Sequence, residues 1–184
     1  MKEIERKYIA VRPEDVSEHP WSVIKQGYAA ILGDGMEFRL REECPRLAKK
    51  APSNLLGWLT ELFFKLISKF KPPGNRYTLT VKSGGEKVRI ETEIEITPDQ
   101  FGELWPMTAG KQLSKIRYRI PYGRQTIELD VYLGKLDGLV VAEVEFDSEE
   151  AGNNFVPPEW FGEEVTEDKR YKNKNLALNG MPKK

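Results

Sequence analysis

The chain is short of the side chains on which much enzyme chemistry depends: its 184 residues include one cysteine, Cys44, and one histidine, His19. A lone cysteine rules out an intrachain disulfide, and the two together supply too few ligands for a His/Cys zinc site. A Ser-His-Asp or Cys-His mechanism would rest on His19 alone, which sits in a Pro-flanked loop and reads as a surface residue. An excess of charge of one sign is lacking too, because 29 Lys and Arg balance 29 Asp and Glu. No global field then draws in nucleic acid or an anionic membrane, so a strongly charged ligand has to be met by a local arrangement. The start Met1-Lys2-Glu3 has no apolar signal-peptide core, and the cytoplasm is the expected compartment. This length predicts one domain, residues 1–184, with a sizeable core. What the chain has in quantity is carboxylate, the ligand type that suits Mg²⁺ or Mn²⁺.

Those carboxylates are ordered along the sequence. Glu3, Glu5 and Lys7 alternate with Ile4, Arg6 and Tyr8, and in a strand the first three share one face. Glu37, Arg39 and Arg41 alternate with Phe38 and Leu40, and Thr78, Thr80 and Lys82 with Leu79 and Val81. Arg89, Glu91, Glu93 and Glu95 alternate with Val88, Ile90, Thr92, Ile94 and Ile96, and Lys115, Arg117 and Arg119 with Ile116, Tyr118 and Ile120. Glu128 and Asp130 alternate with Ile127, Leu129 and Val131, and Glu143 and Glu145 with Ala142, Val144 and Phe146. Each strand therefore has one apolar and one densely ionic face. Two hosts fit this pattern. One is the solvated outside of a sandwich, whose polar faces are usually mixed rather than uniformly ionic. The other is a closed antiparallel barrel, its apolar faces packed outward under helices and its ionic lumen wide enough for water and a ligand. Such a lumen needs both signs, since like charges alone would repel one another and shift their own pKa values.

The alternation and the Gly-rich hairpin signals at 33–35, 83–85 and 122–123 predict eight strands, near 2–10, 23–32, 36–43, 76–83, 86–96, 112–121, 124–133 and 139–147. Thr97-Pro98-Asp99-Gln100 combines an N-cap, a proline at the first helical position and a capping-box glutamine, and predicts a helix to about Trp105. Short helices are expected from Ser148 and over Lys172 to Leu178. A helical insertion is expected at about 44–75: after the N-cap Ser53, Leu55, Leu59, Leu62, Leu66 and Phe70 follow helical spacing, widened by Leu56, Phe63 and Ile67. This helix is too short and too charged to span a bilayer. Its apolar face calls for a cover: the barrel wall, a second copy in a homodimer, or a lipid surface.

The spaced set Glu3-x-Glu5-x-Lys7, Arg39-x-Arg41, Lys82, Arg89-x-Glu91-x-Glu93, Lys115-x-Arg117, Glu128-x-Asp130 and Glu143-x-Glu145 resembles the signature of the CYTH domain, or triphosphate tunnel metalloenzymes. The likeness is strongest to the short bacterial members similar to inorganic tripolyphosphatases, through Ile24-Lys25-Gln26-Gly27-Tyr28 and the tail from Gly162 to Lys174. It implies an α+β fold dominated by β: a closed eight-stranded antiparallel barrel, the triphosphate tunnel, with covering helices. It also implies a phosphohydrolase cleaving inorganic tripolyphosphate to pyrophosphate and phosphate. Arg39, Arg41, Lys82, Arg89, Lys115 and Arg117 would grip the substrate. Glu3, Glu5, Glu91, Glu93, Glu128, Asp130, Glu143 and Glu145 would hold Mg²⁺ or Mn²⁺. Lys7 would contact a terminal phosphate or, coupled to Tyr28, assist deprotonation of water. Arg170 would cap the tunnel or bind a phosphate. Nucleoside or thiamine triphosphate hydrolysis, adenylyl cyclisation and non-catalytic polyphosphate binding stay open beside the main reading.

Overall fold

The computed structural model of the chain describes residues 4–33, 35–45, 74–82 and 90–183. Glu3, Arg89 and the helix expected over 53–70 lie outside the described residues. The rest is an antiparallel β structure with a few short helices. Its elements are β1 (Ile4–Ala10), β2 (Trp21–Ile31), β3 (Glu37–Pro45), β4 (Arg76–Lys82), β5 (Glu91–Glu95), α1 (Pro98–Leu104), β6 (Gln112–Tyr122), β7 (Gln125–Tyr132), β8 (Val140–Phe146), α2 (Glu149–Asn153), β9 (Phe161–Glu164) and α3 (Asn173–Asn179). The capping box at α1 forms as its sequence dictates: Gln100 N donates to Thr97 Oγ1 at 3.2 Å, and Thr97 N donates to Gln100 Oε1 at 2.9 Å.

Among the described residues the sheet has nine strands in the order β5-β4-β3-β2-β6-β7-β8-β1-β9. The expected closed barrel of eight strands is corrected on both counts. To close, β5 would have to pair with the free edge of β1, but β9 holds that edge through Tyr8 opposite Glu164 and Ala10 opposite Phe161. β9 escapes a reading by alternation because it is four residues long, contains Gly162, and joins β1 across a register shift. Arg6, on the outer face, fastens it: Nε and Nη2 donate to Glu164 Oε1 and Oε2 at 3.0 and 2.6 Å.

The apolar faces pack as the alternation requires. Trp21, Val23, Ile116, Tyr118, Ile127, Leu129, Ala142 and Val144 form a buried core on one side of β2, β6, β7 and β8, covered by Val16, Phe155, Trp160 and Phe161. On the opposite side, Tyr28, Leu113, Tyr132 and Val141 meet Leu176 and Ala177 of α3, which seals one end of the ionic face with apolar contacts. Burying each such side chain contributes about 1.5–3 kcal/mol. These two cores, rather than any exposed ion pair at about 0–1 kcal/mol, hold the sheet in shape.

One glycine is demanded by close approach. A Cβ on Gly27 of β2 would lie 2.6 Å from Thr108 Cβ and 2.7 Å from its Oγ1. Thr108 cannot retreat, because its hydroxyl donates to Trp105 O at 2.7 Å and accepts from Gln112 Nε2 at 2.7 Å. Gly27→Ala should therefore destabilise the fold by about 1–3 kcal/mol, the usual cost of overpacking. Gly33→Ala, with no atom of the described residues beyond its chain neighbours within 4 Å of the added carbon, should stay within about 0.5 kcal/mol of the parent. Urea unfolding of the two variants checks this; equal midpoints would contradict the close-approach account.

Candidate functional site

Residues directly opposite in antiparallel strands point to the same face, so register alone decides which charges meet. Lys7 faces Glu143, Glu143 faces Glu128, and Glu128 faces Arg119. One step along, Asp130 faces Arg117, which faces Ser22. Then come Tyr132, Lys115, Ile24, Glu43 and Arg76, followed by Leu113, Gln26, Arg41, Thr78 and Glu95, and by Tyr28, Arg39, Thr80 and Glu93. The ionic rows of separate strands thus form one continuous face from β1 to β5.

At its β1–β8–β7–β6 end the face is a buried ion cluster. Arg117 grips Asp130 with two parallel donations, Nε to Oδ1 at 2.7 Å and Nη2 to Oδ2 at 2.6 Å, and reaches Glu143 Oε2 at 3.0 Å and Glu128. Lys115 donates to the same Asp130, and Lys7 Nζ lies 2.8 Å from Glu143 Oε1. Asp130 and Lys115 are wholly inaccessible to solvent. Burial alone would raise the pKa of Glu143, yet Lys7, Arg117 and Lys115 more than reverse this and hold it well below the usual carboxylate range. Burial and then the Arg117 charge pull Lys115 down to about 8, against Asp130 and Glu143. Burial also works against the Lys7 ammonium, but Glu143, Glu5 and Asp130 raise its pKa on balance. Tyr28 is pushed up chiefly by burial. Both members of the expected base pair therefore keep their protons at neutral pH, and Tyr28 Oη accepts a hydrogen bond from Gln26 Nε2 at 2.9 Å.

At the β3–β4–β5 end, Arg39 Nη2 donates to Thr80 Oγ1 at 3.0 Å, Glu91 Oε1 at 3.3 Å and Glu93 Oε2 at 3.4 Å, and Lys82 pairs with Glu91. Arg41 differs. Its Nε and Nη2 donate to the neutral Oε1 of Gln26 at 3.3 and 3.2 Å, and among the described residues no carboxylate lies in salt-bridge reach of it. Burial, then the charges of Arg39 and Arg117, lower its pKa, although a guanidinium stays charged at any physiological pH. Beside it, Arg39 Nε and Thr78 Oγ1 are buried with no hydrogen-bond partner among the described residues.

Of the residues singled out by sequence, Lys7, Lys115, Arg117, Glu128, Asp130 and Glu143 come together in one cluster, and Arg39, Lys82, Glu91 and Glu93 in another. Glu5 lies directly opposite Glu145 between β1 and β8. Glu91 and Glu93 sit with the cations of β3 and β4, not with the Glu128–Asp130–Glu143 group. Arg170 is exposed and bound to Asp168 at 2.7 Å. Among the described residues no three His, Cys, Asp or Glu side chains are gathered for a metal, and the carboxylates of the buried cluster are paired with Lys7, Lys115 and Arg117. Alternation of charge misses Gln26 and Glu43, while it places Thr78 on the ionic side of its strand with Thr80 and Lys82. Glu43 accepts from Ser22 Oγ and Arg119 Nη2, each at 2.8 Å, and its pKa is lowered: burial opposes the charge, but Arg119 and Ser22 outweigh it. Extending the Glu37-Arg39-Arg41 row by two residues finds Glu43. Gln26 carries no charge, and only its place on the ionic side of β2 marks it.

No family model matches the chain. It is 41% identical over 181 residues to the inorganic triphosphatase of Nitrosomonas europaea, covering 97% of this chain and 99% of that one. It is 40% identical over 103 residues to the inorganic triphosphatase of Acetivibrio thermocellus, covering 55% of this chain and 65% of that one. The crystal structure of the inorganic triphosphatase NE1496 superposes with a TM-score of 0.65 at 40% identity, covering 97% of this chain and 96% of that one. Full-length likeness at this identity, on an antiparallel sheet with one continuous ionic face, means that the chain belongs to the CYTH, or triphosphate tunnel, family, among the inorganic triphosphatases.

Proposed function

We propose that the ionic face binds inorganic triphosphate and hydrolyses one phosphoanhydride bond, giving pyrophosphate and phosphate, with a divalent cation as cofactor. One observation carries this reading. Arg41 is a cation with no carboxylate partner among the described residues, flanked by two buried groups, Arg39 Nε and Thr78 Oγ1, that lack a partner. Leaving buried polar groups unmade costs about 1–3 kcal/mol each, and a multiply charged phosphate chain would satisfy all three at once. The full-length likeness to proteins named inorganic triphosphatase supports the choice of substrate over nucleotide triphosphates.

The carboxylates at the β1–β8–β7 end supply the oxygen donors a hard divalent cation takes, though in the structure Lys7, Lys115 and Arg117 are paired with those of the buried cluster. Glu5 opposite Glu145 and Glu128 opposite Glu143 bring carboxylates together across neighbouring strands, and Arg117 already reaches both members of the second pair. Glu5, Glu128, Asp130, Glu143 and Glu145 would hold Mg²⁺ or Mn²⁺ with oxygen alone, as these ions prefer. When bound, such an ion neutralises phosphate oxygens and lowers the pKa of a coordinated water. The chain's own share is positioning: Arg39, Arg41, Lys82, Lys115 and Arg117 fix the anion, and Lys7, with its proton in place, donates to a phosphate oxygen. A lone, buried Cys44 accords with a reducing compartment such as the cytoplasm.

Phosphate release from inorganic triphosphate should be abolished by EDTA and restored by excess Mg²⁺ or Mn²⁺; turnover surviving complete chelation would contradict the metal assignment. Arg41→Ala should raise KM by about 10- to 1000-fold, the range expected when a charge-assisted contact is lost. Arg41→Lys should recover only part of this, because a point charge does not reproduce the planar fork. Steady-state kinetics would refute this if Lys restored the parental KM.

A further inference from the structure

Gln26 is wholly buried in the middle of an ionic face, directly opposite Arg41 on β3 and Leu113 on β6. A buried primary amide must place both its oxygen and its nitrogen. Here the oxygen takes both Nε and Nη2 of Arg41, and the nitrogen donates to Tyr28 Oη. The partners leave one orientation of the amide: oxygen toward the guanidinium, nitrogen toward the phenol.

The chemistry of the acceptor matters more than its presence. Lys7, Arg39, Lys82, Lys115, Arg117 and Arg119 each face a carboxylate on this surface. A glutamate at position 26 would hold Arg41 more firmly and would also neutralise it. The amide holds the fork in place and leaves its full charge for an incoming anion. The same contact occupies an acceptor site on Tyr28 Oη and leaves the phenol proton free to be donated.

Resting on the triphosphate reading above, we propose that Gln26 is a positioning residue: a neutral hydrogen-bonding clamp that aims Arg41 and Tyr28 at one phosphate while keeping the Arg41 charge uncompensated. Its effect passes through Arg41, so it belongs to substrate binding rather than to the bond-breaking step.

The test measures KM and kcat for inorganic triphosphate in Gln26→Met, Gln26→Glu, Arg41→Ala and the Gln26→Met/Arg41→Ala double variant, with melting temperatures alongside. Gln26→Met keeps the volume and loses the hydrogen bonds; it should raise KM about tenfold with little change in kcat, the scale of one lost contact to a charged group. Gln26→Glu should raise KM further, because it quenches the charge. In the Arg41→Ala background Gln26→Met should add little to KM, as expected when two residues act as a unit. An unchanged KM in Gln26→Met overturns the proposal, as do additive effects in the double variant or losses that merely follow melting temperature. If Gln26→Glu does not fold, the Met variant and the double variant still decide. A parent protein that releases no phosphate from inorganic triphosphate refutes the functional reading itself, an outcome distinct from an active parent indifferent to Gln26.

Discussion

Burying charge is the constraint on which this molecule turns. Arg117, Lys115 and Asp130 sit almost without solvent, and an isolated ion in that position would cost several kcal/mol. The structure meets the cost by register. Arg117 is opposite Asp130, Arg119 is opposite Glu128, Lys7 is opposite Glu143, and Lys115 reaches Asp130 from the next position, so every member of the cluster has an opposite charge within reach. A shift of one residue in any of these strands would turn its charges into the apolar core and its Leu and Val side chains into the ion cluster. The two faces therefore enforce each other, and the apolar core fixes the register that makes the buried charges tolerable.

Against that background, Arg41 is the exception with functional weight. Elsewhere on the ionic face the cations Lys7, Arg39, Lys82, Lys115, Arg117 and Arg119 are matched among the described residues, and matched cations attract a further anion weakly. Arg41, held by an amide, keeps its charge; Thr78 Oγ1 directly opposite it and Arg39 Nε two residues along the strand have no hydrogen-bond partner among the described residues. The acidic end has the opposite bias, with two like-charged cross-strand pairs. A face with an amide-held guanidinium at one end and several carboxylates brought together at the other suits a ligand pair of polyanion and divalent cation.

Much of this was legible in the sequence because strand geometry has a period of two. The alternation marked the charged faces of β1, β3, β4, β6, β7 and β8, and the capping box at Thr97 marked α1. Closure was not legible: whether β1 pairs with β5 or β9 depends on the placement of Phe161–Glu164, four residues with no alternation of their own. Partner choice was hidden as well. Glu91 and Glu93 look identical to Glu143 in a charge pattern, yet their register sets them against Arg39 and Lys82. Gln26 was invisible for a different reason, since its role comes from having no charge where its neighbours have one.

The most direct measurement is a crystal structure with Mn²⁺ and a non-hydrolysable imido analogue of inorganic triphosphate. The account predicts phosphate oxygens on Arg41, Arg39 Nε and Thr78 Oγ1, and an anomalous manganese peak among Glu5, Glu128, Glu143 and Glu145. An analogue bound away from Arg41, or manganese held at Glu91 and Glu93 instead, would contradict it.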